Sequence, residues 1–163
     1  MSDLLFKKLD ELSIHYLTYN HEPLFTIEQA MAVASTIPGA QCKNLFLKDS
    51  KDNLYLVVAI HDTIINLKKL SKYLNAPELR FAKADLLKAY LGVEPGSVTP
   101  FGLINDISHK VFVILDAKLF EHQLIGFHPL INNATIVISF VDLKKFVVSC
   151  KNKNIAINFD EII

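Results

Sequence analysis

Cys42-Lys43-Asn44-Leu45-Phe46-Leu47-Lys48 and Leu54-Tyr55-Leu56-Val57-Val58-Ala59-Ile60, joined by Asp49-Ser50-Lys51-Asp52-Asn53, are the stretch that decides the fold. Both flanking runs are of strand length and rich in apolar and β-branched residues, whereas the five residues between them are polar. The segment therefore reads as a β-hairpin with a polar loop, both strands lying in the core sheet.

Upstream, Ser2 is placed to cap a helix whose Leu5, Leu9 and Leu12 share one face, and an extended piece follows at residues 16–19. Thr26 and Gln29 have the spacing of a capping box ahead of Ala30, Met31, Val33 and Ala34, and Pro38-Gly39 supplies the stop. Downstream, Asn66 can cap a helix through Leu67, Leu70 and Tyr73, a short strand falls at residues 79–81, and a helix over residues 84–91 ends at Gly92. Residues 92–102 hold three glycines and two prolines and predict a stiff irregular loop. Strands recur at residues 111–115, 124–127 and 134–139. A helix at residues 141–148, with Ser139 and Asp142 available as caps, and a strand at residues 155–159 close the pattern. No repeat or linker divides the chain. The expectation is one α+β domain over residues 1–163, a mostly antiparallel central sheet flanked by helices.

The chain's 163 residues carry 17 basic and 17 acidic side chains, so the formal charge is zero, and 51% of residues are apolar. That balance predicts a packed globule and argues against a protein that coats long nucleic acid, while leaving room for a local basic patch on a few phosphates. The first residues carry their charges within the apolar pattern and do not read as a signal peptide, and the longest apolar run, Leu54–Ile60, is too short to span a bilayer. A cytoplasmic protein with no membrane partner is expected. Cys42 and Cys150 read as free thiols rather than a disulfide framework.

Three segments stand out for chemistry: Lys43-Asn44 at the start of the apolar strand, the loop Gly96-Ser97-Val98-Thr99-Pro100, and Gly126-Phe127-His128-Pro129-Leu130. Taken singly, each has an ordinary reading as a solvated lysine, a connector or a structural histidine. Signatures of a P-loop, a dinucleotide fold and a GxSxG nucleophile elbow are absent from the sequence. His15, His21, His61, His109, His122 and His128 form neither HExxH nor a zinc-spaced cluster, so no metal and no cofactor is expected. Nothing local marks Cys42 as an activated nucleophile.

Over nearly its whole length the sequence resembles the YbaK-type deacylases, which include the editing insertion of bacterial prolyl-tRNA synthetases and its freestanding relatives. The resemblance is carried by three blocks: CKNLFLKD from Cys42, GVEPGSVTPFGL from Gly92, and GFHPLINNAT from Gly126. It implies a mixed α/β fold, no metal, and hydrolysis of the ester that joins an amino acid to the terminal adenosine of tRNA. Lys43 matches the family's essential lysine, Gly96 to Pro100 its GxxxP loop, and Gly126 with His128 its GxHP segment. Lys43 and His128 are thereby implied as catalytic, and Asn44, Gly96, Ser97, Val98, Thr99, Pro100, Gly126, Phe127, Pro129 and Asn132 as substrate-binding. CKNLFLKD together with FHPL is most similar to freestanding alanyl-tRNA(Pro) deacylases. The implied partners are the aminoacylated acceptor end of proline tRNA and, beyond it, prolyl-tRNA synthetase. A departure at Ile131-Asn132-Asn133 keeps cysteinyl-tRNA or another mischarged tRNA open as the substrate, and a non-catalytic aminoacyl or nucleotide-binding module is the alternative from another class.

Such an ester is already activated, so the residues need mainly to position water and stabilise charge on the carbonyl oxygen. The rigid loop can aim backbone N–H groups, Lys43 can supply positive charge, and His128, set between Gly126-Phe127 and Pro129, can narrow a pocket that admits alanine and excludes proline.

Overall fold

The hairpin forms as β2 (Ala40–Lys48) and β3 (Leu54–Ile60), paired antiparallel from Cys42↔Ile60 to Lys48↔Leu54 in a computed structural model that describes residues 3–162. Its loop is organised by Asp49, whose buried carboxylate accepts hydrogen bonds from the backbone N–H groups of Lys51 and Asn53, both at 2.9 Å. The Asn53 amide at 3.0 Å and the Tyr55 hydroxyl at 2.9 Å also donate to it. Burial alone would raise the Asp49 pKa, but these donors outweigh it and hold the carboxyl below the ordinary carboxylate range.

Every residue of β3 is buried, and the pleat divides them between two cores. Leu54, Leu56, Val58 and Ile60 enter one core, while Tyr55, Val57 and Ala59 enter the other. A strand covered on both faces reads as an unbroken apolar run, which is what the sequence shows. The first core also takes Leu5 and Leu9 of α1 (Asp3–Glu11) and Leu143, Phe146 and Val147 of α5 (Phe140–Ser149). The second takes Leu70 of α3 (Leu67–Leu74). The expected Ser2 cap of α1 lies outside the described residues.

With β1 (Leu17–Asn20), β4 (Arg80–Phe81), β5 (Val111–Asp116), β6 (Ile125–Phe127), β7 (Ala134–Ile138) and β8 (Asn154–Ile157), the sheet has the order β1-β7-β6-β2-β3-β5-β8, and β4 pairs with β2. Among the described residues the antiparallel pairs are β1/β7, β2/β3, β2/β4 and β6/β7. The pairs β2/β6, β3/β5 and β5/β8 are parallel. The sheet is therefore mixed, with an antiparallel majority of one. β3 and β5 can run parallel because α3 and β4 lie in the connection between them, long enough to return the chain in the same direction.

Caps fall where the sequence places them. Thr26 and Gln29 form the full capping box of α2 (Ile27–Ala34), Asn66 accepts from the Lys69 N–H at 3.1 Å to start α3, and Ser139 accepts from the Asp142 N–H at 3.1 Å to start α5. Three segments differ from expectation; the strand expected at residues 155–159 ends at Ile157, and Phe159 begins a 3-10 turn, Phe159–Glu161. The helix over residues 84–91 begins as α4 (Ala84–Leu86) and widens into a π-helical turn over Leu87–Leu91. The irregular stretch is shorter than residues 92–102, because Pro100 opens a 3-10 helix, Pro100–Asn105, where its fixed φ and missing N–H suit the first turn. Phe101 of that turn is fully buried and meets two rings edge-on, Phe146 at 5.2 Å and Phe127 at 6.0 Å between centroids, so it joins the Gly96 to Pro100 loop to β6 and α5.

Replacing Leu56 by Ala should remove about 3 kcal/mol of stability, the cost of an unfilled cavity in a strand packed on both sides. Chemical denaturation measures it, and a loss below about 1 kcal/mol would contradict this placement of the core.

Candidate active site

β2 pairs with β6 only at Ala40↔Ile125 and Gln41↔Gly126. Farther along, β2 is bordered by β4 at Leu47 and Lys48, and Phe46 O accepts from Ala82 N at 2.9 Å. Between these pairings β2 parts from β6, and the gap is a cavity of about 210 Å³. Cys42 and Asn44 line it from β2, Gly126 and His128 from β6 and the residue after it, and Thr135 from β7. Ala30, Val33 and Ala34 of α2 close it over, and the Gln41 amide ties α2 down by donating to Ala30 O at 3.3 Å. None of the residues of α2 is buried, so Ala30, Val33 and Ala34 serve this cavity more than either core, while Ile27 and Met31 are exposed.

His128 is half-buried, with Nδ1 2.9 Å from Ala134 O. A carbonyl can only accept, so Nδ1 carries the hydrogen and Nε2 of the neutral ring is an acceptor. Burial lowers the His128 pKa below its ordinary value; the bond to Ala134 opposes this, and the neighbouring His21, with ring centroids 6.1 Å apart, adds to it. A Cβ at Gly126 would stand 3.1 Å from the Thr135 methyl, a tight contact that Thr135 would have to shift to relieve. Pro129 is buried behind the histidine, and Leu130 turns the chain with a φ of 72°.

Asn44 donates through Nδ2 to Val98 O at 3.2 Å, while its buried Oδ1 has no partner. This bond is the link between the cavity and the Gly96 to Pro100 loop, which stands behind Asn44 and does not itself line the cavity. Within the loop, Gly96 adopts a φ of 93°, a conformation that favours glycine, and Ser97 and Thr99 are buried. Thr99 Oγ1 accepts from Phe101 N at 3.3 Å and starts the 3-10 turn. Lys43, by strand alternation, lies on the opposite side of β2 from Cys42 and Asn44, and its ammonium donates to Thr63 O. Asn132 donates to Leu24 O at 3.3 Å and so braces the segment leading into α2.

The structure thus gathers Asn44, Gly126, Phe127 and His128 around one cavity, with Val98 one hydrogen bond away. Lys43, Gly96, Ser97, Thr99, Pro100, Pro129 and Asn132 lie outside its lining. Sequence reasoning missed His21 and Thr135: His21 Nε2 is 2.9 Å from Thr135 Oγ1, and its Nδ1 is 2.8 Å from Glu22 O. Nothing in the sequence around His21 separates it from the other histidines, because its partner lies on a distant strand. Cys42 was read as unactivated, and its thiol is pushed up to about 12, chiefly by burial, with a hydrogen bond from Gly126 lowering it and Asp116 raising it. The cavity therefore presents neutral groups, an imidazole acceptor and a protonated thiol, while the unpaired Asn44 amide oxygen is buried in its wall. Such a set can hold a small side chain and accept hydrogen bonds from an amine or a water.

The model of the aminoacyl-tRNA editing domain matches residues 21–146. The prolyl-tRNA editing protein ProX of Acetoanaerobium sticklandii is 41% identical over 141 residues, covering 86% of this chain and 86% of that protein. Prolyl-tRNA synthetase associated domain-containing protein 1 of Danio rerio is 38% identical over 162 residues, covering 96% of this chain and 88% of that protein. A solved structure described as a candidate trans-editing enzyme for prolyl tRNA synthetase superposes with a TM-score of 0.71 at 16% identity, covering 97% of this chain and 98% of that one, a likeness of fold.

The His128 ring should titrate with a midpoint below about 6.5, the ordinary value, in an NMR titration. Since the fold favours the uncharged ring, its contribution to stability is complete above that pH and is withdrawn as the pH falls below it. A midpoint above 6.5 would contradict the burial described. Alkylation of Cys42 at pH 8 should be slower than that of a free thiol by orders of magnitude, because the thiolate is scarce; labelling at the rate of a free thiol would place Cys42 in solvent.

Proposed function

Because the chain belongs to the aminoacyl-tRNA editing domain family, we propose that it is a trans-editing hydrolase that deacylates mischarged tRNA, alanyl-tRNA(Pro) foremost, by water attack on the aminoacyl ester. The observation that carries this reading is the small cavity between β2 and β6, walled by a fixed, neutral His128 and floored without side-chain bulk at Gly126. Residues 1–163 act on this reading as one editing domain.

An aminoacyl ester needs no protein nucleophile, and the half-buried, protonated Cys42 offers none. The amino-acid side chain enters the cavity, where Ala30, Val33 and Ala34 meet a methyl group and His128 blocks a larger ring. His128 Nε2 is the acceptor that faces an α-amino group or the attacking water. The Gly96 to Pro100 loop, tied to Asn44 through Val98, and Lys43, held by Thr63 O on the other side of β2, lie outside the cavity lining; on this reading they act at its rim, the loop through backbone N–H groups on the developing oxyanion and Lys43 through positive charge on the ester or the terminal phosphate. Size exclusion suits the task. A proline pocket rejects a smaller residue by only about 1 to 3 kcal/mol, so a second sieve closed to the larger cognate corrects what the first admits.

The reading is tested by incubating the purified chain with alanyl-, cysteinyl- and prolyl-tRNA(Pro) and following release of the amino acid. Alanyl-tRNA(Pro) should be hydrolysed fastest and prolyl-tRNA(Pro) spared. Preference for the cysteinyl substrate would reassign specificity, and absence of turnover on all of them would favour a binding module. Lys43→Ala should lower kcat/KM at least about a hundredfold, in the range of a lost electrostatic group, with little change in Tm. Near-normal hydrolysis by the folded variant would remove Lys43 from the mechanism.

A further inference from the structure

Asp116 is fully buried, and the chemistry above makes no use of it. It is the last residue of β5, which runs parallel to β3 with Leu115 opposite Val58, so its carboxylate lies beside the chain that leaves β3. Its two oxygens do different things. Oδ1 accepts from the Lys118 N–H at 3.0 Å and caps the 3-10 turn Ala117–Glu121. Oδ2 accepts from the Ile60 N–H at 3.1 Å and from the Thr63 hydroxyl at 2.5 Å. Thr63 is itself buried, and its carbonyl is the acceptor that holds the Lys43 ammonium.

A cap alone needs one oxygen and no charge. Among the described residues Asp116 makes no ion pair, and an ionised carboxylate without a cation is costly to bury unless donors converge on it. Here the donors that converge on Oδ2 come from Ile60, the last residue of β3, and from Thr63 in the turn that follows, the turn from which Thr63 O reaches Lys43. Lys43 stands opposite Ala59 on the paired strand, so a shift of residues 60–63 moves the acceptor that holds its long, flexible side chain. Thr63 N also bonds back to Ile60 O at 3.1 Å, closing the turn around the same carboxylate.

We propose that Asp116, acting through Thr63, is a positioning residue for Lys43: it fixes the turn whose carbonyl aims the ammonium, and so sets the lysine's place in the deacylation reaction. The proposal rests on the deacylase reading for its catalytic half, and its geometric half can be measured without any substrate.

The test uses Thr63→Val, which keeps the volume and removes the hydroxyl, Thr63→Ser, which keeps the hydroxyl and removes the methyl, and Asp116→Asn. Folding of each is checked by circular dichroism and Tm. Lys43 is labelled with trace acetic anhydride and its rate is compared by mass spectrometry with that of the exposed Lys68 in the same molecule. Thr63→Val should raise the relative labelling of Lys43 roughly threefold or more and lower kcat/KM on alanyl-tRNA(Pro) roughly tenfold, the scale of one broken buried hydrogen bond. Thr63→Ser should stay near wild type in both, and Asp116→Asn should follow Thr63→Val where it folds. A role in packing alone gives the reverse order, with Ser the more damaging change. Wild-type labelling of Lys43 in Thr63→Val, or wild-type kcat/KM in that variant, overturns the proposal. If the wild-type chain hydrolyses no charged tRNA, the deacylase reading fails by itself and the labelling still decides whether the hydroxyl and carboxylate position Lys43.

Discussion

β2 has to serve two neighbours that it cannot follow at once. It pairs with β3 from Cys42 to Lys48 and with β6 only at Ala40 and Gln41, so the sheet must open on one side of β2 just past Gln41. The hairpin wins because β3 is buried on both faces and its apolar side chains enter two separate cores, whereas β6 is three residues long. The opening is thus a consequence of where apolar surface is buried. It puts polar and small residues of strongly held strands around a space that neither strand fills, and rigid strands are good carriers for a site that depends on fixed distances.

What surrounds that space is arranged to stay uncharged. Burial keeps the His128 imidazole neutral and the Cys42 thiol protonated, and Asn44 contributes an amide oxygen with nothing to bond. Charge is kept one layer back, where Lys43 meets Thr63 on the far side of β2 and Asp116 is enclosed by N–H and O–H donors. The separation has a physical logic. A neutral cavity admits a small apolar side chain at little desolvation cost, while a cation nearby acts on charge that develops only during reaction.

Much of the fold could be read from local sequence because the signals were local. The hairpin, the Thr26–Gln29 capping box and the caps at Asn66 and Ser139 depend on residues a few positions apart, and each formed as read. The parallel pairing of β3 with β5 and of β5 with β8 had no such signal, since strand partners are chosen by burial between segments far apart in the chain. The same limit applies at the site. Gly126 and His128 could be found through their shared block, but the bonds from His21 to Thr135 and from Asp116 to Thr63 join residues separated by more than fifty positions. Only one cue was available for Asp116: a carboxylate that ends the apolar run Val111-Phe112-Val113-Ile114-Leu115, where burial demands a reason for the charge.

The central claim is that a cavity left by the parting of β2 and β6 sorts amino acids by size, with His128 as the wall. Its most direct measurement is the ratio of kcat/KM for alanyl-tRNA(Pro) to that for prolyl-tRNA(Pro), taken for the wild type and for His128→Ala. The ratio reports differential binding of the two transition states and does not depend on how much of the enzyme is folded. Removal of the imidazole should lower alanyl-tRNA hydrolysis and bring the ratio toward one, about tenfold or more below the wild-type value. An unchanged ratio, whatever the loss of absolute activity, would contradict the sieve and leave His128 as a residue that only braces the turn after β6.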